Sequence, residues 1–425
     1  MIRGIAGASI RDVMKFWHAG GAKFSRMGLI QRENASSLRA MYLDANATTP
    51  LADEVWEAML PWWREGFHNP SSSHTGGKKA RAAIEQARGQ VAELIGAQED
   101  EIIFTSGGTE AINALLRSWD GEGQAGHFLT TAVEHSAVLR TVASLSRPMM
   151  TCGVGETGAI DLSAWQENLT DAAFAAAMAV NNETGVIMNW QQAASMAHQA
   201  GKPFFCDAVQ AAGKIPLSVS DAAVDAMALS AHKFHGPKGV GALYLRRGTK
   251  FTPLLCGGGQ ERGLRSGTEA VPLIVGMGAA AALAKQRLSD GTIARVAAMR
   301  DVFEQAVLAG VAGVHVNGDP ASRVANTSHL SFDDCEAAGL LILLDDKDVA
   351  CSAGSACMSG KQQPSHVQKA MGYSDARAKS SLRISFSALN TEEEARQAAT
   401  ILCAAVKKLR SVQSAGVGPV VIYTP

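Results

Sequence analysis

The chain has 425 residues, of which 47% are hydrophobic and 19% charged. That composition supplies a sizeable core and excludes a mainly disordered chain; at roughly 100–200 residues per domain it predicts two or three domains. Lys+Arg is 39 and Asp+Glu is 40, a formal net charge of -1. No global attraction to nucleic acid or to an anionic membrane is expected.

Residues 1–40 stand apart. Arg3, Arg11, Lys15, Lys23, Arg26, Arg32 and Arg39 face only Asp12 and Glu33. Without a strong apolar stretch this is no secretory signal. It reads as an extension with little order or a start-site artefact, with an Arg-rich transit peptide as the alternative. Further along, Val271 to Ala284 is apolar but shorter than the ~20 residues of a membrane span. The seven cysteines are odd in number and include no Cys-x-x-Cys pair. This points to a reducing compartment, with the cytoplasm as the expected location, rather than to a secreted disulfide framework.

From Met41 onward strand-like and helix-like stretches alternate. EIIF (101–104) precedes the helical SGGTEAINALL, and HFLTT (127–131) precedes EHSAVLRTVASL. FAAAMAV (174–180) is a buried strand ending in NNETG. WQQAASMAHQAG (190–201) is a helix stopped by Gly201. KPFFCDAVQ, DAMALSAHK and GALYLRR complete the series. The alternation predicts a mostly parallel sheet flanked by helices. Ligands of such sheets collect at the carboxyl ends of the strands, where five polar clusters fall here: SGGTE, EH, NNE, CDAVQ and SAHK. Beyond about residue 285, helices (291–309, 391–410) mix with short strands (327–332, 381–386), predicting a smaller α+β domain. The expected division is 1–40, 41–290 and 291–425.

Several of these residues carry chemistry. Ser106-Gly107-Gly108-Thr109 opens a helix after a strand, either as a phosphate cradle or as an ordinary turn with Thr109 as cap. Lys233 ends a buried strand, where a lysine is suited to a Schiff base. Ser230 and His232 beside it add phosphate donors. Asp207 ends the preceding strand and, if buried, needs a cationic partner such as a pyridinium N–H. Those are the parts of a pyridoxal phosphate site. His135 is a proton shuttle or a helix cap. A second Gly-rich, basic stretch, Gly257 to Thr268, is a surface loop or reaches a phosphate. Arg383, on an apolar strand, needs an anion such as a substrate carboxylate. Cys152, Cys206, Cys335 and Cys403 read as buried hydrophobes, and Cys351 as structural. Cys357, among Ser, Gly and Ala, sits where no core can form and is the candidate nucleophile.

The ordered set YLDANATTP, HNPSSSH, EIIFTSGGTEAIN, EHSAVL, VNNETGV, CDAVQAAGKIP, LSAHKFHGPKGVGALY, GGGQERGLRSGT, CSAGSACMSG and SSLRISF resembles the cysteine desulfurases. These belong to the class V aminotransferases, with the fold-type I pyridoxal-phosphate architecture. The likeness spans about residues 41–410. Departures are small-for-small, such as SAHK for the commoner SGHK and SGGTE for SGATE.

The resemblance implies an α/β fold with a seven-stranded, mostly parallel sheet in the larger domain and a smaller α+β C-terminal domain. Lys233 would carry pyridoxal 5'-phosphate, Asp207 would face the ring nitrogen, and Gln210 the ring hydroxyl. His135 would stack on the ring as acid and base. Gly108, Thr109, Ser230 and His232 would hold the phosphate, with Thr268 reaching that of the other subunit of a homodimer. Asn182 and Arg383 would bind the amino acid, Arg383 by its carboxylate. Cys357 would take sulfur from L-cysteine as a persulfide, leaving L-alanine, and pass it to a protein acceptor such as an iron–sulfur scaffold. The rivals are a selenocysteine lyase or aminotransferase of the same fold, and a non-catalytic sulfur-carrier or scaffold subunit. The latter would have lost Lys233 or Asp207.

Overall fold

The computed structural model describes residues 41–121, 125–353 and 364–414. The N-terminal segment 1–40 and Cys357 lie outside the described residues.

In chain order the elements begin with β1 (Met41–Tyr42), α1 (Asp53–Arg64), α2 (Thr75–Ile95), β2 (Ile102–Thr105) and α3 (Gly108–Asp120). There follow β3 (His127–Thr131), α4 (Ser136–Ala143), β4 (Met149–Cys152), α5 (Leu162–Leu169), β5 (Ala172–Met178) and α6 (Trp190–Gln199). Then come β6 (Phe204–Asp207), β7 (Ala226–Ser230), β8 (Gly241–Leu245), α7 (Val271–Arg287) and α8 (Thr292–Gly310). The chain continues through β9 (Val314–Val316), β10 (Thr327–Phe332), α9 (Ala337–Asp345), β11 (Val349–Ala350) and β12 (Ser352–Ala353). It closes with α10 (His366–Ala370), α11 (Asp375–Lys379), β13 (Ser381–Ser385) and α12 (Glu392–Ser414).

Seven strands form the principal sheet in the order β2-β8-β7-β6-β5-β3-β4. Only β8 runs against its neighbours; the other adjacent pairs are parallel. Residues on each strand alternate between two apolar layers. Phe204, Met227 and Leu229 join a cluster with α2, α5, α6 and α7. Phe205, Ala226 and Ala228 join another with α3 and α4. A strand buried on both faces reads as a continuous apolar run, as Ala172–Met178 does, because neither face meets water.

The apolar run Val271–Ala284 lies within α7, packed on α2 and α1. Gly278 permits the contact: a Cβ there would stand 2.6 Å from Ala87 Cα. Among the described residues no helix is long and apolar enough to cross a membrane.

The second sheet, β12-β13-β10-β9, is antiparallel. One face of its central pair, Leu330, Phe332, Leu382 and Ile384, joins Phe303 of α8 and Leu402 of α12 in a separate apolar cluster. The other face is polar yet buried, with cross-strand pairs Thr327/Ser385, His329/Arg383 and Ser331/Ser381. Met41 and Leu43 belong to this same cluster, because β1 pairs with β11. The residues after β1 therefore run between the two sheets.

Candidate active site

Parallel pairing puts the carboxyl ends of β3, β5, β6 and β7 along one edge of the sheet. β2 joins them, since both it and β7 run against β8. Asp207 stands beside Met178 of β5 and Ala228 of β7. Ser230 and Thr105 both pair with Gly241. The polar clusters expected to converge do converge.

Gly108 opens α3 with its amide at a helix N-terminus. A Cβ on Gly108 would come within 2.7 Å of Val209 Cγ2 and 3.7 Å of Ser230 Cβ. Only glycine lets the helix start this close to the β6 and β7 ends. The cap of α3 is Gly107, not Thr109, so Thr109 and Ser230 remain as hydroxyl donors beside the helix amides. His232 follows on a short turn, its Nδ1 3.1 Å from Thr48 Oγ1. Burial, then the neighbouring lysines, hold this ring down at about 4, so it is a neutral hydrogen-bonding group.

Lys233 Nζ donates to the carbonyls of Asn46 and Ala47 at 2.6 and 2.8 Å. Asp207 is buried, and among the described residues the one hydrogen bond to its carboxylate comes from Val209 N–H, at 3.0 Å to Oδ1. Burial pushes its carboxyl up, while the nearby His135 and Lys233 pull it down. His135 caps α4 through Nδ1, which accepts from Ala137 N–H at 3.1 Å. Burial lowers its pKa against the opposing pull of Asp207. His135, Asp207 and Lys233 thus share one electrostatic neighbourhood.

Arg383 is 3% exposed. Its Nη1 donates to the Asn182 carbonyl at 3.0 Å and its Nη2 to Asp44 Oδ1 at 2.8 Å. Asn182 therefore meets Arg383 through its backbone oxygen. Gln210 Nε2 donates to Asn46 O at 2.7 Å, and its Oε1 accepts from Lys214. Thr268 is exposed, and among the described residues no hydrogen bond joins it to this group.

The structure adds residues to which the motifs assigned no role. Asn46 is 2% exposed. Its Oδ1 accepts from Lys214 and Asn326, and its Nδ2 donates to Thr327. Its carbonyl accepts from both Lys233 and Gln210. Lys214 is half-buried, and desolvation followed by repulsion from Lys233 and Arg383 holds its amine well below 10.5. Glu134 is fully buried, with Oε1 accepting from Thr131 Oγ1 and Met178 N–H at 2.7 and 2.9 Å. Burial drives its carboxyl up to about 8. The sequence signal for Glu134 was its place before His135; Asn46 had none beyond a polar side chain among small ones.

The two arginines of the basic loop at 257–268 are engaged within the chain. Arg265 pairs with Glu110 at 2.8 Å, and Arg262 donates to Ile102 O at 2.8 Å. Cys152, Cys206, Cys335 and Cys403 are buried as expected. Burial pushes the half-buried Cys351 up to about 12, the state of an inert thiol. Cys256 is exposed.

These residues suit pyridoxal phosphate. A lysine sits on the turn just past one strand, and the neighbouring strand ends in a buried carboxylate whose Oδ2 accepts no hydrogen bond from a described residue. A glycine-opened helix with hydroxyl and imidazole donors forms an anion cradle. Among the described residues no group of His, Cys, Asp and Glu could hold a metal ion.

Comparison with known proteins agrees. The family model described as aminotransferase class-V matches residues 41–397. The chain is 43% identical over 380 residues to "Cysteine desulfurase 2" of Trichormus variabilis, covering 88% of this chain and 95% of that one. It is 42% identical over 388 residues to "Cysteine desulfurase NifS" of Azotobacter vinelandii, covering 89% and 96%. The solved structure titled "NIFS-LIKE PROTEIN" superposes with a TM-score of 0.79 at 34% identity, over 88% of this chain and 99% of that one. "SspA in complex with cysteine" superposes at 0.72 with 32% identity, over 81% and 98%. The architecture is that of the fold-type I enzymes, and the chain belongs to the class V aminotransferase family, whose members depend on pyridoxal phosphate.

Proposed function

We propose that this protein is a cysteine desulfurase: L-cysteine and the Cys357 thiol give L-alanine and a Cys357 persulfide. The carrying observation is Lys233 on the short turn just past β7, within electrostatic reach of the buried Asp207, in a chain whose relatives bear that activity in their names.

Each residue has a defined task in this reading. Gly108, Thr109, Ser230 and His232 hold the phosphate, Asp207 the ring nitrogen, and Gln210 the ring hydroxyl. Bound at Lys233, pyridoxal phosphate supplies the electron sink that labilises bonds at the α and β carbons of the amino acid. Arg383 and Asn182 orient the substrate by its carboxylate end. The Lys233 amine and the His135 imidazole take and return protons near the α carbon, the imidazole with a pKa held below its ordinary 6.5. The Cys357 thiolate forms the new S–S bond as the substrate C–S bond breaks. The electron pair of the broken bond stays with carbon, which is then protonated.

The protein works as a homodimer in which Thr268 reaches the partner subunit's phosphate, and its location is the cytoplasm. Residues 41–290 serve as the cofactor domain and 291–425 as the smaller one. The persulfide passes to a protein acceptor such as an iron–sulfur scaffold. Incubation with L-cysteine should yield equal amounts of L-alanine and of persulfide mapped to Cys357 by mass spectrometry. Release of alanine without persulfide would favour a lyase, and keto-acid formation an aminotransferase.

A further inference from the structure

Arg383, read here as the residue that receives the substrate carboxylate, already holds an anion. Asp44 lies just after β1, between the two sheets, where Tyr42 OH and the amides of Ala47 and Thr48 bond its carbonyl. Its Oδ1 accepts from Arg383 Nη2 at 2.8 Å and its Oδ2 from Ser352 Oγ at 2.8 Å. The carboxylate is thus anchored on both oxygens and cannot swing away without losing a partner. Asn182 O takes Nη1. The Nε–H is buried and has no partner among the described residues. Together with the second hydrogen of Nη2 it leaves one edge of the guanidinium for an incoming carboxylate.

Among the described residues the other titratable groups near Arg383 make no ion pair with it. His329 stands directly across the strand pair and is fully buried. Burial pushes its imidazole down to about 3, so it is neutral. Glu183 is fully buried, bonded by Ser365 Oγ, with its carboxyl pushed up by burial. Lys214 is an amine held well below its ordinary value. Among the described residues Asp44 is the anion in ion-pair contact with Arg383.

We propose that Asp44 is an internal counter-anion of Arg383 that weakens the hold of the site on amino-acid carboxylates, so that product leaves. The inference rests on the reading of Arg383 as the carboxylate site. L-cysteine and L-alanine carry the same carboxylate and amino group, so a bare buried arginine would hold both tightly. A fixed Asp44 a few ångströms from the bound carboxylate repels substrate and product alike. Such uniform weakening raises KM without raising the chemical barrier, and it speeds release.

The test is Asp44→Asn in the holoenzyme, with L-alanine affinity read by equilibrium titration. Asn keeps both hydrogen bonds and removes the charge. The expected result is tightening by about tenfold, a parallel fall in KM for L-cysteine, and no change for cysteamine, which lacks the carboxylate. Structural damage would weaken binding, so tightening cannot arise from it. Asp44→Ser also removes the charge and carries the same expectation if Asp44→Asn fails to fold. Unchanged or weaker alanine binding in the variant that folds, or equal tightening of cysteamine, would overturn the proposal. Arg383→Gln separates the two readings. If it leaves alanine affinity intact, the assignment of Arg383 itself fails; if it abolishes binding while Asp44→Asn does not tighten it, only the Asp44 inference fails.

Discussion

Arg88 of α2 grips both carboxylate oxygens of Glu261, with Nη1 at 2.7 Å and Nη2 at 2.8 Å, and both side chains are 2% exposed. Glu261 also accepts from Phe104 N–H at 2.9 Å. It does so from a positive φ of 47°, a backbone conformation that only fixed partners repay. One ion pair therefore anchors the glycine-rich loop that carries Thr268 to β2, the strand that leads into the Gly108 cradle.

Replacing Arg88 by Met should leave the Glu261 carboxylate buried without its partner. The expected loss is about 3–5 kcal/mol of unfolding free energy, measured by urea denaturation. Arg88→Met combined with Glu261→Leu should recover much of that loss. If the single variant costs no more than a surface pair, on the order of 1 kcal/mol or less, the pair does not bear on loop placement.

Lys233 is expected to carry the cofactor. Borohydride reduction and peptide mapping should place the pyridoxyl group on Lys233, and Lys233→Ala should lack the aldehyde-derived colour. Lys214 is the informative competitor, because desolvation holds its amine well below its ordinary 10.5 and it shares Asn46 with Lys233. An adduct on Lys214 or on Lys238 would remove Lys233 from the mechanism.

Cys357→Ala should retain the cofactor and still bind L-cysteine, since Lys233, Asp207 and Arg383 are untouched. Alanine release should fall by ~10³-fold or more, as for a nucleophile acting within a unit. Cys351→Ala should lower stability by about 1 kcal/mol and spare turnover, because its thiol is held protonated up to about 12. Persulfide on Cys351 in the unmodified protein would contradict this division.

Glu134 should make the cofactor-free protein less stable toward alkaline pH. Folded, it keeps its proton up to about 8; the ordinary carboxyl value is 4.5. The folded state therefore binds more protons between these values. Its stabilising contribution is full below the lower value and is lost as pH rises through the upper one. Glu134→Gln should be near neutral at about pH 5 and stabilising at about pH 9, by on the order of 3 kcal/mol. Parallel stability–pH curves for the two proteins would reject the assignment.

The sequence alone determined the alternating α/β layout, the strand-end polar clusters and most of the residues on them. That is because local patterns encode them. An apolar run ending in Ser-Ala-His-Lys or Cys-Asp-Ala must deliver its polar end to the sheet edge. The period-2 alternation of β10 and β13 was also present, but its meaning was hidden. Ser, Thr, His and Arg on one face suggest solvent, whereas the face is buried, with Thr327 meeting Asn46 and Arg383 meeting Asp44. Only the tertiary structure decided that β1 pairs with β11, more than 300 residues away. That pairing sets Asp44 against Arg383 and Asn46 against Lys233, Gln210 and Lys214. No local pattern announces such contacts. A polar side chain between small residues reads as a turn until the fold buries it and demands a partner for every donor and acceptor.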